Sequence, residues 1–276
     1  MDTDRPAPDL TSTANPTVKT VARLRDRRER ERTGRTIVDG AREVRRALEA
    51  GATVEEAFVC APLLQGEDAR AALDWLAARR VPVRTTNEKV FEKLAFGDRA
   101  EGMLAIVRVP STALDDLELP SEPLVVVLEA VEKPGNLGAA LRSVDGAGAD
   151  ALIVASGRTD PFNPNVIRAS AGTVFNVPLA TGEAGDVITW LRGRGIRIVA
   201  ARIGAPVAYT DADLRGPLAI ALGSEADGLT AIWDGDGIEA VSLPMHGIAD
   251  SLNVSVTAAV LLYEARRQRG RPGAAV

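Results

Sequence analysis

Residues 124–148 read LVVVLEAVEKPGNLGAALRSVDGAG. The nearly unbroken apolar run at 124–131 predicts a strand buried on both faces of a parallel sheet. A turn rich in glycine and proline follows, and a helix then runs to about Gly148. Gly135 and Gly138 keep the turn free of side chains and Asn136 can cap the helix. Arg142 lies about one turn inside it, on the face shared with Gly138. A dinucleotide-binding turn would also follow a first strand, but it needs G-x-G-x-x-G and the spacing here is G-N-L-G.

Working outward, ALIVAS, a helix near Asn165 to Ala171, FNVPLA, DVITWLRGRG, IRIVAAR, PLAIALG, EAVSLPM and a closing helix from about Ser251 to Gln268 continue the alternation. That predicts an α/β domain with a mainly parallel sheet over residues 124–270. Upstream, STALDDLELPSEP at 111–123 carries acidic residues and prolines without buried periodicity and reads as a linker. Residues 15–110 form a first α/β unit. It starts with an amphipathic helix marked by Val18, Val21 and Leu24, continues through the charged run Arg25 to Arg32 and stops at Thr33-Gly34. Residues 1–14 are polar and punctuated by proline, which predicts a disordered tail.

Composition excludes whole classes of chemistry. A single cysteine in 276 residues, Cys60, rules out a disulfide framework, a cysteine-rich zinc site and an iron–sulfur cluster. A single histidine, His246, rules out any scheme needing two histidines in one chain, and no metal is expected. No signal-peptide core and no apolar run near the roughly 20 residues of a membrane span occur, so the expectation is a cytoplasmic protein without membrane contact. The net charge of −5 divides into +2 for residues 1–110 and −7 for the remainder. Between Pro16 and Arg46, 11 basic residues face 5 acidic ones. Such a run suits phosphates, with Arg27, Arg28, Arg30 and Arg35 as candidate RNA contacts; the ordinary alternative is a solvated helix face.

Two further connections also follow apolar strands, where α/β sheets hold their ligands. In LGSEADGL, 222–229, Gly223 permits close backbone approach and Glu225 puts a carboxylate at a strand's C-terminal edge. In SLPMHGIADSLNVSVTAAVLLYE, 242–264, a strand ends at Leu243-Pro244-Met245 and Ser251-Leu252-Asn253 opens an apolar helix. Ser251 reads as the N-cap. Asn253, an amide in the first turn of an otherwise apolar helix, is an odd choice for a purely structural position.

In this order, N-x-G-x3-R at 136–142, G-S-E-x-x-G-L at 223–229 and L-P-M…S-L-N-V-S at 243–255 resemble the three motifs of the SpoU (TrmH-like) family. These are S-adenosylmethionine-dependent RNA ribose 2′-O-methyltransferases of the SPOUT superfamily, and the resemblance spans roughly Leu124 to Arg269. Residues 15–40 and 90–110 resemble the L30e-like RNA-binding domain that precedes the catalytic domain in ribosomal RNA members, including thiostrepton- and avilamycin-resistance enzymes.

The resemblance implies an L30e-like α/β domain followed by a SPOUT α/β domain tied in a trefoil knot, although deep knots are nearly absent from proteins in general. It implies a homodimer acting on 23S ribosomal RNA, in ribosome maturation or antibiotic self-resistance, with a non-catalytic RNA-binding protein of the same fold as the alternative. Ala201, Gly223, Leu243, Pro244, Met245 and Leu252 would hold the cofactor, Gly223 admitting the adenosyl group and the two leucines bracketing adenine. Arg142 would be the catalytic residue, as electrostatic clamp or as base; a guanidinium is a poor base in solution. Asn136 and Asn253 would hold ribose and loops, Ser251 would aid substrate placement, and Glu225 would order the site around Arg142. Arg168 and Ser170 are candidate phosphate contacts, with a capped helix next to Gly172 as the equally good ordinary reading, and His246 is incidental.

Overall fold

A computed structural model describes residues 7–96 and 101–270. The chain divides into two compact units, one built from residues up to Pro110 together with Pro161–Asn176, the other from Ser111–Asp160 and Val177 onward.

In the first unit, helix α1 (Pro16–Arg23) starts where the Asn15 side chain accepts the Thr17 amide at 2.8 Å and Pro16 fills the first turn. The run read as one helix breaks after Leu24, because Asp26 caps a new helix, α2 (Arg27–Thr33), by accepting the Arg28 amide at 3.0 Å. Gly34, at φ +63°, ends α2 in the left-handed conformation that glycine adopts without a steric penalty. There follow β1 (Arg35–Asp39), α3 (Ala41–Glu49), β2 (Val54–Val59), α4 (Glu67–Ala78), β3 (Val83–Thr85), α5 (Glu88–Leu94) and β4 (Met103–Arg108). The sheet order is β1-β4-β2-β3, with β4 antiparallel to both neighbours and β2 parallel to β3. Val18, Val21 and Leu24 pack with Ile37, Phe58, Phe91, Leu94 and Leu104 in one buried cluster.

The remaining elements are β5 (Leu124–Glu129), α6 (Pro134–Ala147), β6 (Ala151–Ala155), α7 (Pro164–Ala169), β7 (Leu179–Gly182), α8 (Ala184–Gly193), β8 (Arg197–Ala201), β9 (Val207–Ala208), β10 (Leu218–Leu222), β11 (Ile238–Ser242) and α9 (Val254–Gln268). All but α7 build the second unit. Its sheet runs β7-β6-β5-β10-β8-β11-β9 with every pairing parallel. β5 lies inside it, bonded to β6 and β10 and buried at all six residues, as its apolar run demands. α9 packs along α6, and Arg266 donates to the Ala147 carbonyl at 2.6 Å. This strand order and the return of α9 to α6 accord with the expected α/β-knot.

Three expectations change. Residues 161–176, read as part of the second domain, complete the first unit instead: the Thr36 hydroxyl donates to Phe162 O at 2.6 Å and Arg46 to Ala171 O at 2.7 Å. Gly172 sits at φ +83° so close to α3 that a Cβ there would lie 3.3 Å from the Glu43 Cα. The supposed linker is a strap on the second unit's core, onto which Leu114, Leu117 and Leu119 pack, and Thr181 donates to Thr112 O at 2.8 Å. The disordered tail was placed over residues 1–14; residues 1–6 lie outside the described residues, but Leu10 is buried and bridges Thr86, while Asp9 accepts the Thr85 amide at 2.8 Å.

Candidate active site

The C-terminal edge of the parallel sheet opens into a cavity of about 560 Å³, walled by residues 201–204, 222–229, 241–245 and 250–252. The six residues expected to hold a cofactor, Ala201, Gly223, Leu243, Pro244, Met245 and Leu252, all line it, as do Glu225 and Ser251. The loop after β10 shapes one wall. Ser224 and Gly228 exchange backbone hydrogen bonds at 3.2 and 3.1 Å across its neck. A Cβ on Gly223 would fall 1.9 Å from the Gly228 carbonyl carbon, so the missing side chain is required first by the loop's own backbone, before any ligand is considered.

The base of that loop is braced from two sides. Glu129, at the end of β5 and buried, accepts the Thr230 amide at 2.7 Å and the Thr230 hydroxyl at 2.6 Å. Arg202 donates to Leu229 O at 3.0 Å and Thr230 O at 2.8 Å, and pairs with Asp234 at 2.7 Å. A charge closing a continuous apolar strand was a visible signal for Glu129, since a buried carboxylate needs partners; Arg202 carried no comparable one.

Polar residues from the first turn of α6, the loop after β10 and the cap of α9 meet at the rim. Asn253, rather than Ser251, is the N-cap of α9: its Oδ1 accepts the Ser255 amide at 3.0 Å and the Ser255 hydroxyl at 2.6 Å. Its Nδ2 donates to Asn136 Oδ1 at 3.1 Å and to Glu225 Oε1. Asn136 does not cap α6, because Lys133 occupies that position and Pro134 the first turn; the Asn136 side chain is thereby freed to meet Asn253. Ser251 lies exposed, two residues before the cap.

Glu225 Oε2 accepts from Lys133 Nζ at 2.8 Å, so the partners ordering Glu225 are Lys133, Asn136 and Asn253, not Arg142. The Lys133 ammonium, assisted by the two amides and against modest burial, holds the Glu225 carboxyl below the usual carboxylate range. An ionised carboxylate with both oxygens engaged is a poor acceptor for a substrate proton. Arg142 lies on α6 with its side chain exposed and has no hydrogen-bond or ion-pair partner among the described residues. His246 is exposed and lies outside the cavity wall.

The arginines expected to meet RNA behave otherwise. Arg30 is buried and donates to Leu24 O and Arg25 O at 3.0 and 2.9 Å, holding the α1–α2 corner, which removes it from any binding surface. Arg27 pairs with Glu31 at 2.7 Å and Arg35 with Glu55 at 2.6 Å. Arg28 is exposed, without a carboxylate partner among the described residues. Arg168 donates to Phe96 O at 2.6 Å and stands 3.9 Å from both Asp39 and Glu101, while Ser170 is enclosed and donates to Ile167 O at 2.9 Å. Both serve the first unit's packing rather than an open phosphate site. Burial pushes the Asp39 carboxyl up to about 6, against the Phe96 amide and Arg168, which pull it down.

Comparison with known proteins agrees with this geometry. The family described as the SpoU rRNA methylase family matches residues 123–263, and an MRM3-like substrate binding domain matches residues 15–105. The chain belongs to the SpoU rRNA methylase family. Among relatives, the 23S rRNA (guanosine-2′-O-)-methyltransferase RlmB of Vibrio parahaemolyticus is 36% identical over 78% of this chain and 90% of its own. A crystal structure of an RNA 2′-O ribose methyltransferase matches at 42% identity and a TM-score of 0.83, covering 94% of this chain and 98% of that one. The SpoU methyltransferase AviRb from Streptomyces viridochromogenes, in complex with AdoMet, matches at 28% identity and a TM-score of 0.81, covering 92% and 98%. Of the three motifs read from the sequence, those at 223–229 and 243–255 supply much of the cavity wall, and the first, on α6, meets them at the rim through Asn136.

Proposed function

We propose that the protein transfers the methyl group of S-adenosylmethionine to the ribose 2′-hydroxyl of a nucleotide in 23S ribosomal RNA. The observation that carries this reading is the convergence of Asn136, Glu225 and Asn253 beside a cavity walled by the expected cofactor residues, with Arg142 left without a partner among the described residues. The cavity falls within the ~300–1,000 Å³ of small-molecule sites, and its wall includes Glu225, Asp227 and Asp250, which suit a cationic ligand. The relatives' names, RlmB and the AdoMet complex among them, support the same substrate and cofactor.

S-adenosylmethionine, when bound, supplies an activated methyl group and a neutral thioether leaving group. The chain's own part is then to position the hydroxyl and manage its proton. Arg142 offers guanidinium donors to the developing alkoxide and to the adjoining RNA phosphate, whose oxygen accepts the 2′-hydroxyl proton; this is electrostatic stabilisation rather than base catalysis, because a guanidinium is a poor base. Asn253 ties α9 to the rim, and Asn136 holds Asn253. Gly223, Leu243 and Leu252 form the wall for the adenosyl group.

The homodimer expected of the family draws support from apolar side chains exposed on this unit outside the cavity wall, Ile248 and Val256. No helix among the described residues is long and apolar enough to cross a membrane. The reading is tested by mapping ribose methylation in 23S ribosomal RNA after incubation with the protein and S-adenosylmethionine. One new 2′-O-methylated nucleotide is expected; cofactor binding without methyl transfer would favour the non-catalytic RNA-binding alternative.

A further inference from the structure

We propose that Lys133 is a positioning residue: by pairing with Glu225 it fastens the tip of the loop at 224–228, and so a wall of the cofactor cavity, to the start of α6. The loop's base is anchored independently by Glu129 and Arg202. Its tip is exposed from Glu225 to Gly228, and inside the loop there are only the Ser224–Gly228 backbone pair and the Asp227 amide on the Ser224 hydroxyl at 3.1 Å. Among the described residues, the bonds from this tip to the rest of the unit run through Glu225.

Asn253 and Asn136 offer Glu225 neutral amide donors, and Lys133 brings it the one charged donor. An amide has two N–H donors, and Asn253 gives one to Asn136 and one to Glu225 Oε1, while its oxygen is taken by Ser255. The second carboxylate oxygen is met by Lys133 at 2.8 Å. The lysine side chain is 74% exposed, and pairs of this kind add little to global stability, so its effect is local to the loop.

The test is Lys133→Met in the full chain, with Lys133→Arg as the conservative variant. Amide hydrogen exchange reads residues 224–228, calorimetry reads S-adenosylmethionine affinity, and steady-state kinetics use 23S ribosomal RNA. In Lys133→Met, exchange at 224–228 rises and both Kd and KM for S-adenosylmethionine rise about fivefold, kcat stays within about twofold, and the melting temperature is unchanged. Lys133→Arg restores the affinity. Because Lys133 holds the Glu225 carboxyl low, the acid-side loss of cofactor affinity begins at higher pH in Lys133→Met than in the wild type.

The proposal rests on the cofactor reading of this cavity, and exchange separates the two failures. S-adenosylmethionine that leaves the wild-type amides at 224–228 unprotected overturns the cavity assignment and the proposal with it. Protected amides with equal affinities in wild type and Lys133→Met overturn the part given to Lys133 alone. A fall in kcat at unchanged Kd also overturns it, by moving the lysine to the reaction itself.

Discussion

The arginines of the first unit and Arg142 of the second carry the same charge and do opposite things with it. Around α2 most cations are consumed locally, Arg28 excepted: Arg27 by Glu31, Arg32 by Glu29, Arg35 by Glu55 and Arg30 by backbone carbonyls. In the second unit, richer in acid by count, Arg142 stands exposed on α6 with no hydrogen-bond or ion-pair partner among the described residues, while Glu225 at the cavity rim is held by Lys133. A count of charges along a chain therefore does not locate the cation that meets a substrate. The donors left after internal pairing are the candidates.

The most severe way to break this contrast is Arg142→Ala. Methyl transfer should fall by about three orders of magnitude, as when a transition-state donor is removed, with S-adenosylmethionine affinity retained. Methyl incorporation into 23S ribosomal RNA beside calorimetry checks it, and near-wild-type transfer would end the electrostatic role. Next in size is Gly223→Ala. A methyl aimed at backbone 1.9 Å away must displace the loop, so cofactor affinity should drop by more than tenfold and the melting temperature should fall. An unchanged titration would mean that the loop is dispensable to the cavity.

The first unit gives the smaller effects. Arg28→Glu should weaken RNA binding several-fold and reduce the salt dependence by about one charge's worth, whereas Arg27→Ala, which removes an already paired cation, should do less. Equal effects in a salt titration would erase the distinction between paired and unpaired arginines. Smallest is Asp39→Asn. A carboxyl raised to about 6 favours its protonated form in the fold, so the stability tied to it is fully present below the ordinary 3.8 and lost as pH rises through 6. The variant should melt a few degrees higher than wild type at pH 7.5 and no differently at pH 3.5; thermal melts at the two pH values decide it.

The parallel sheet was legible because β5 declares itself locally: six apolar-to-acid residues that only a doubly covered strand would tolerate. The cavity wall was legible through the resemblance to the SpoU motifs, which assigned Gly223, Leu243 to Met245 and Leu252 to the cofactor; local composition alone marked only Gly223, as a place of close backbone approach. What escaped depends on partners far along the chain. Ser251 and Asn253 are equally good caps by residue type, and only the meeting of Asn253 with Asn136, 117 positions away, separates them. Lys133 reads as surface until Glu225 arrives, 92 positions on. The leucines of 114–119 look like linker because their periodicity is too short to announce a face, and Arg30 looks solvated until the α1–α2 corner closes over it.

The short segment from Pro161 to Asn176 has a bearing on how such a protein can be divided. Since β1 and α3 borrow it, by way of Thr36, Arg46 and the close approach at Gly172, the first unit is not a cassette that ends at Pro110. A fragment cut there would present bare polar groups and an uncovered strand edge, a template for aggregation. Exchanging this half with that of a relative, to move a methyl mark to another nucleotide, would require transplanting two pieces of sequence: the obvious one, and sixteen residues embedded in the partner gene segment that encodes the cofactor cavity.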